Sequence, residues 1–138
     1  MGQILAIDYG KARCGIAATD DMRIIASGLD TVQTPGLIEF LKKYFSQHPV
    51  DEVVVGLPVD LKGNVSKVET DILQFIAVFQ KEFPAVPVHR FDERFTSKMA
   101  SFFISRSGKS KKQRQEKGLI DKVSATIILQ NFLEQRTR

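Results

Sequence analysis

The sequence predicts an α/β fold built on a five-stranded mixed sheet, with three antiparallel strands first, two parallel strands after them, and helices flanking the sheet. Three short apolar segments follow one another closely at the start of the chain. The spacing between hydrophobic residues then increases from two residues, as in a strand, to about 3.6 residues, as in a helix. Further along the chain, helical segments alternate with apolar runs. The chain has 138 residues, of which 43% are hydrophobic, so we expect one domain, 1–138, with one sizeable core.

The first three strands are predicted over residues 3–8, 14–19 and 24–32, with Gly28 interrupting the third. Only a few residues separate each strand from the next. A parallel connection needs about a dozen residues or more. These strands should therefore form an antiparallel meander.

The helical period begins after the third strand. Thr34 is placed to cap a helix with Pro35 at its first position, and apolar residues recur at helical spacing over 37–45. Pro49 ends this helix. The Val-rich run 52–57 is typical of a strand buried on both faces of a parallel sheet.

The second half of the chain continues the alternation. Ser66 and Glu69 have the spacing of a capping box at the start of the next helix. A fifth strand is predicted over 86–91, then a helix running through Phe102, and a last helix over 119–134. The two βα crossovers should be right-handed and should add parallel strands to the meander.

Acidic residues follow two of these strands and begin the last helix. Asp8 closes the first strand, Asp92 and Glu93 close the fifth, and Asp121 lies on the apolar face of the last helix. Each has a structural alternative: a turn cap for Asp8, a helix cap with an ion pair to Arg94 for the second group, and a favourable helix-dipole contact for Asp121.

Taken together, these acids indicate a metal site. Parallel first, fourth and fifth strands would bring them to one edge of the sheet, where open α/β sheets bind ligands. Carboxylate oxygens suit Mg²⁺ or Mn²⁺. Two such ions about 4 Å apart can activate water and stabilise the leaving oxygen of a phosphodiester.

Four segments resemble the YqgF family of bacterial RuvC-like nucleases, whose members are described as pre-16S rRNA nucleases and Holliday junction resolvases. They are spread over essentially the whole chain: 7–17 (IDYGKARCGIA), 54–58 (VVGLP), 92–96 (DERFT) and 117–125 (KGLIDKVSA). The resemblance implies an RNase H-like fold and maturation of the 5′ end of 16S rRNA. It also implies catalytic, metal-binding acids at Asp8, Glu93 and Asp121. The choice of Glu93 over Asp92 comes from the resemblance, since side-chain alternation at a strand end does not settle it.

Positive charge is concentrated in one segment. The formal net charge is +4, and residues 106–117 hold six Lys or Arg and one Glu, so the rest of the chain sums to −1. A charge run is often only a solvated loop. We expect this one to be a mobile arm that orders on nucleic acid and binds its backbone through Lys109, Lys111, Lys112 and Arg114.

Three further cations lie near the acids in the sequence. Lys11 and Arg13 follow Asp8, and Arg94 follows Glu93, so all three are candidates for contacts with phosphates beside the metal ions. For Lys11 and Arg13 the alternative is solvated surface charge. For Arg94 it is an ion pair with a neighbouring acid.

Other functions fit the sequence less well. A resolvase must cut two strands symmetrically and so should be a dimer, and the absence of a dedicated dimer helix favours rRNA processing by a monomer or weak homodimer. An actin-like ATPase needs a second lobe, for which 138 residues leave no room. The P-loop-like stretch 107–110 lacks a required glycine, since Phe103 stands in its place. The retained acids argue against a non-catalytic rRNA-binding factor.

The cellular compartment follows from two negative observations. No apolar run approaches the roughly 20 residues of a membrane span, so no membrane partner is expected. A single cysteine, Cys14, excludes an internal disulfide and suits a reducing compartment. We therefore expect a cytoplasmic protein.

Overall fold

A five-stranded sheet with helices on both faces forms the protein. The computed structural model describes residues 2–20, 22–23, 25–60, 62–93 and 117–136. The strands are β1 Gln3–Asp8, β2 Arg13–Thr19, β3 Ala26–Gln33, β4 Val50–Leu57 and β5 Val88–Asp92. The helices are α1 Leu37–Gln47, which follows a 3-10 turn at Thr34–Gly36, α2 Val68–Glu82 and α3 Lys117–Arg136.

The strand order is β3-β2-β1-β4-β5. β1 pairs antiparallel with β2, and β2 with β3, whereas β1 pairs parallel with β4, and β4 with β5. The predicted mixed sheet is therefore confirmed. Because β1, β4 and β5 are parallel, their carboxyl ends lie at the same edge of the sheet.

The two central strands are buried on both faces, as the Val-rich run predicted. Residues Ile4 to Ile7 of β1 and Val53 to Val55 of β4 have no exposed surface. On one face, α1 and α2 pack against side chains such as Leu5, Ile7 and Val55. On the other face, α3 covers Ile4, Ala6, Ala17 and Val54 with Ala125, Ile128 and Leu129.

The start of the first helix differs from the prediction. Thr34 does not cap it but lies within the 3-10 turn, and its hydroxyl donates a hydrogen bond of 2.7 Å to the Gly10 carbonyl. Helix α1 begins after Gly36 without a side-chain cap. The Thr34 hydroxyl therefore ties this turn to the segment between β1 and β2.

The predicted capping box is wrong. Lys67 occupies the cap position of α2 without a side-chain hydrogen bond, and the Ser66 hydroxyl accepts only a 3.3 Å bond from the Val68 amide. The Glu69 carboxylate instead accepts bonds of 2.6 and 2.9 Å from the Arg90 guanidinium. A two-point charged pair is stronger than a neutral bond to a helix amide, which accounts for the difference.

Other boundaries shift by two residues or less at each end. The third strand is Ala26–Gln33 instead of 24–32, the fifth is Val88–Asp92 instead of 86–91, and the last helix is Lys117–Arg136 instead of 119–134. Three predictions concern residues outside the described ranges: the helix through Phe102, the role of Arg94, and the mobile arm. Among the helices that are described, none is both long and apolar enough to cross a membrane.

Glu52 fastens the end of α3 to the amino-terminal half of β4. Its carboxylate accepts two bonds of 2.6 Å from Arg136 and lies 2.9 Å from His89 Nε2 and 3.4 Å from Arg23. The hydrogen bonds from Arg136, followed by that from His89, lower the pKa of Glu52 from 4.5 to about 2 against the opposing effect of burial.

We expect Glu52→Gln to lower the free energy of unfolding by about 1 kcal/mol at pH 7, a modest value because Arg136 is partly exposed. The folded-state pKa is depressed, so the stabilisation is complete above pH 4.5 and is lost as the pH falls toward 2. Urea unfolding between pH 7 and pH 3 measures the difference from wild type. A difference that did not shrink on acidification would contradict the assignment. Glu82→Gln, which removes an exposed pair with Lys42, is the control.

Candidate active site

Two carboxyl groups meet at the carboxyl edge of the sheet. Asp8 is the last residue of β1, and Glu93 directly follows β5, where its amide donates a 3.1 Å hydrogen bond to the Leu57 carbonyl. The Asp8 and Glu93 side chains are hydrogen-bonded to each other. Asp92 is exposed. The geometry therefore pairs Asp8 with Glu93.

Strand alternation and a glycine place this pair. Asp8 follows Ile4 and Ala6 on the sheet face that α3 covers, and Glu93 comes two residues after Phe91, which packs on the same face. Gly56 lies in β4, between the strands that carry the two acids. A Cβ atom at Gly56 would overlap the Glu93 carboxylate. The missing side chain thus leaves the space that the Glu93 carboxylate fills.

Asp121 approaches the pair from α3. Gly15 is opposite Asp8 in the β1–β2 ladder, and a Cβ atom at Gly15 would overlap the backbone carbonyl of Asp121. The helix backbone therefore rests directly on Gly15. This close approach brings Asp121 near enough to Asp8 for its charge to affect the ionisation of Asp8.

The electrostatics of the site disfavour full ionisation. Burial raises the pKa of Asp8 well above its ordinary value, and the charge and hydrogen bond of Glu93 and the charge of Asp121 raise it further. Burial also raises the pKa of Glu93, against lowering effects of the hydrogen bond from Asp8 and the charge of Arg90. Both carboxyl groups therefore favour the protonated form more than an exposed carboxyl group does.

The predicted phosphate ligands occupy different surroundings. Arg13 begins β2, and its Nε donates a 2.8 Å hydrogen bond to Asp121 Oδ2, so in the free protein it contacts an acid. Lys11 is exposed in the turn between β1 and β2. The remaining candidates, Arg94, Lys109, Lys111, Lys112 and Arg114, lie outside the described residues.

The donor set fits a divalent cation in its chemistry. Asp8 and Glu93 offer hard oxygen atoms from two carboxyl groups in contact, and burial is the main cause that raises the pKa of both. Within the described ranges, however, no group of three acidic, His or Cys side chains is arranged to hold a metal. Asp121 is engaged with Arg13.

The sequence did not predict the contacts of Arg90 behind Glu93, which we call the Arg90 buttress. Besides pairing with Glu69, Arg90 donates bonds of 3.2 and 3.1 Å to the carbonyls of Val55 and Gly56. It therefore holds the end of β4 against β5 and supplies the positive charge that lowers the pKa of Glu93. An arginine near the end of the predicted strand 86–91 was the available signal, because a buried charge needs a partner.

Comparisons with known proteins identify a matching family and several relatives. The sequence model of the RuvX family, described as Holliday junction resolvase, matches residues 2–135. A Flavobacterium johnsoniae protein named "Putative pre-16S rRNA nuclease" is 52% identical over 136 residues, covering 99% of each chain. A Christiangramia forsetii protein with the same name is 50% identical over 133 residues, covering 96% of this chain and 98% of the relative.

A solved structure shares the fold. The fowlpox virus resolvase, solved with its substrate Holliday junction DNA, superimposes with a TM-score of 0.63 and covers 99% of both chains. Its sequence identity is 14%, so this similarity concerns the fold alone.

Proposed function

Because the chain belongs to the RuvX family, we propose that it is a metal-dependent nuclease that hydrolyses nucleic-acid phosphodiesters, with the 5′ end of pre-16S rRNA as its substrate. The family predicted from the four motifs, also called YqgF, is thereby confirmed. The observation that carries the proposal is the contact between Asp8 and Glu93 at a sheet edge that Asp121 also approaches.

In this proposal Asp8, Glu93 and Asp121 hold one or two Mg²⁺ or Mn²⁺ ions. Bound ions of this kind activate water and stabilise the leaving oxygen of a phosphodiester. Because burial raises both pKa values, Asp8 and Glu93 would have to lose protons to bind a cation, so occupancy of the site should increase with pH. Gly56 and the Arg90 buttress keep the Glu93 carboxylate beside Asp8 through this change.

The names of the relatives support precursor rRNA as the substrate. Eight curated relatives, from Christiangramia, Flavobacterium, Phocaeicola, Bacteroides and Porphyromonas, all carry the name "Putative pre-16S rRNA nuclease". The description of the family favours a second candidate, a Holliday junction resolvase. We place the protein in the cytoplasm as a monomer or weak homodimer, and the free, buried Cys14 suits that reducing compartment.

Incubation of the purified protein with precursor 16S rRNA and with four-way DNA junctions, in Mn²⁺ or in EDTA, tests the proposal. We expect Mn²⁺-dependent cleavage of the precursor RNA at its 5′ end. Symmetric cleavage of the junction alone would assign the second candidate. Binding of RNA without cleavage in any divalent ion would instead indicate a non-catalytic rRNA-binding factor.

A further prediction concerns the basic segment. Replacing Lys109, Lys111, Lys112 and Arg114 with Ala should weaken RNA binding and flatten its salt dependence, because fewer counterions are released. If each residue contacts one phosphate, the slope of log K against log salt concentration should fall by up to about 3. Filter binding or fluorescence anisotropy across a salt series measures the slope.

The control is a variant in which the exposed Lys42, Lys43 and Lys81 on α1 and α2 are replaced with Ala. This variant should keep a slope near that of wild type. An unchanged slope in the quadruple variant would refute a role for the basic segment in binding.

A further inference from the structure

We propose that Arg13 is an internal counter-cation for Asp121, and that Asp121 becomes a metal ligand only by leaving the Arg13 guanidinium. This inference rests on the proposed function, because it assumes that the acids take up a divalent ion. It assigns to Arg13 a role in the free protein that is distinct from a contact with phosphate. Arg13 would be a positioning residue for Asp121 and would set the affinity of the site for metal.

The positions of the two side chains support this role of Arg13. Arg13 and Asp121 are 108 positions apart in the sequence, yet Arg13 Nε lies 2.8 Å from Asp121 Oδ2. Residues 13 and 15 point to the same face of β2, and α3 approaches that face directly at Gly15. The ion pair is therefore formed beside Asp8, at the point where the helix meets the sheet.

The charges at the site also require a cation beside the acids. Asp8 and Glu93 are in contact with each other, and the charge of Asp121 acts on Asp8. Three acids at one edge repel one another unless a cation is present. The Arg13 guanidinium supplies that cation when no metal is bound. Since arginine stays protonated at every relevant pH, the pair does not separate by loss of the Arg13 charge, but another cation can compete for Asp121.

Solvent exposure limits the strength of the Arg13–Asp121 pair. The side chains of Arg13 and Asp121 retain 30% and 25% of their exposure, so solvent reaches both. An ion pair of this kind is weak and exchanges readily. Arg13 should therefore lower the affinity for metal by a small factor without blocking the site.

Release of Arg13 has a further consequence. A freed guanidinium beside the acids can bind a phosphate through two parallel hydrogen bonds. Metal binding and nucleic-acid binding would then favour each other, because each stabilises the state in which Arg13 and Asp121 are apart.

Isothermal titration calorimetry with Mn²⁺ on wild type, Arg13→Gln, Asp121→Asn and the double variant tests the inference. We expect Arg13→Gln to lower the Kd for Mn²⁺ by about two- to fivefold, and Arg13→Lys, which retains the charge, to leave it closer to wild type. In the Asp121→Asn background the effect of Arg13→Gln should disappear, since Arg13 acts through Asp121. Lys42→Gln, a loss of one charge on α1, is the control and should not alter the Kd.

Two outcomes would overturn the inference. The first is a Kd in Arg13→Gln that equals or exceeds that of wild type. The second is the same tightening with and without Asp121, which would indicate a general charge effect. If wild type bound no Mn²⁺ at all, the proposed function would fail and this inference with it. Mn²⁺ binding without an Arg13 effect would remove this inference alone.

A second measurement does not depend on the affinity of the variants. The ¹⁵N resonance of Arg13 Nε, assigned by its absence from Arg13→Lys, should shift on titration with Mg²⁺ as the bond to Asp121 is lost. A resonance that stays in place while Mg²⁺ binds would show that the ion pair persists, and would contradict the inference.

Discussion

Replacing Asp8 with Asn is expected to abolish Mn²⁺-dependent cleavage and, at the same time, to stabilise the metal-free protein. Asp8 is one of the two carboxyl groups in contact at the sheet edge, and under the proposed function the change removes an oxygen that would bind the metal ion. Loss of a residue that only orients a metal ligand lowers activity about 10–100-fold. Removal of a ligand itself should therefore lower the cleavage rate by at least about 100-fold. Single-turnover cleavage of precursor rRNA measures this effect.

The stabilising effect follows from the direction of the pKa shift. Folding raises the pKa of Asp8 above its ordinary value of 3.8, so the metal-free fold is most favoured when Asp8 is protonated. As the pH rises above 3.8, the unfolded chain ionises first and wild type loses stability relative to the variant. At pH 7 we expect Asp8→Asn to be more stable by about 1–2 kcal/mol, because it removes a poorly compensated charge from a buried site.

Urea unfolding in EDTA, from pH 3 to pH 8, measures the change in stability. The advantage of Asp8→Asn should grow with pH and should vanish near pH 3. Asp30→Asn, at an exposed position on β3, is the matched control and should change neither stability nor cleavage. A variant that was less stable than wild type at pH 7, or one that kept substantial cleavage, would contradict the assigned role of Asp8.

The second large effect is expected from two glycines that differ in what they contact. At Gly15 an added Cβ would overlap the backbone of α3 at Asp121, and a backbone atom cannot rotate away. The helix would have to move off the sheet that it covers. We expect Gly15→Ala to lower the free energy of unfolding by about 2–3 kcal/mol, the cost typical of overpacking.

At Gly56 the same added atom would overlap the Glu93 carboxylate and lie 3.0 Å from Ile128 Cδ1. Both are ends of side chains, which can rotate. Gly56→Ala should therefore cost less stability than Gly15→Ala, but it should push Glu93 away from Asp8. We expect cleavage to fall by at least about tenfold, the lower range for a disturbed ligand shell.

Gly36→Ala is the control for both variants. No atom lies within 4 Å of a Cβ built at Gly36, and the Gly36 φ of −97° suits any residue. The stability of Gly36→Ala should therefore match or slightly exceed that of wild type. Urea unfolding and cleavage rates separate the three variants. If Gly15→Ala were as stable as Gly36→Ala, the close approach of α3 to the sheet would be wrong.

The fold was largely predictable because its determinants are local. Short connections forced the antiparallel meander, and the Val-rich run of β4 identified a strand covered on both faces. Errors arose where tertiary contacts outweigh local preference. Glu69 has the spacing of a capping residue, but Arg90, which is 21 positions away, takes its carboxylate.

The site was predictable to a lesser degree. The topology brought Asp8, Asp121 and the end of β5 to one edge, but the residues alone did not choose between Asp92 and Glu93. That choice came from the resemblance, and the structure places Glu93 beside Asp8 while Asp92 is exposed. The Arg13–Asp121 pair was not foreseeable from spacing, because it depends on how deeply α3 descends onto Gly15.

The packing of α3 on the sheet bears on when the enzyme becomes active during its own synthesis. The amino-terminal strands leave the ribosome first, and α3 is translated last among the described elements. Until it emerges, the nascent chain lacks both Asp121 and the apolar cover over β1 and β2. The proposed cleavage activity should therefore appear only after α3 has emerged and packed on the sheet.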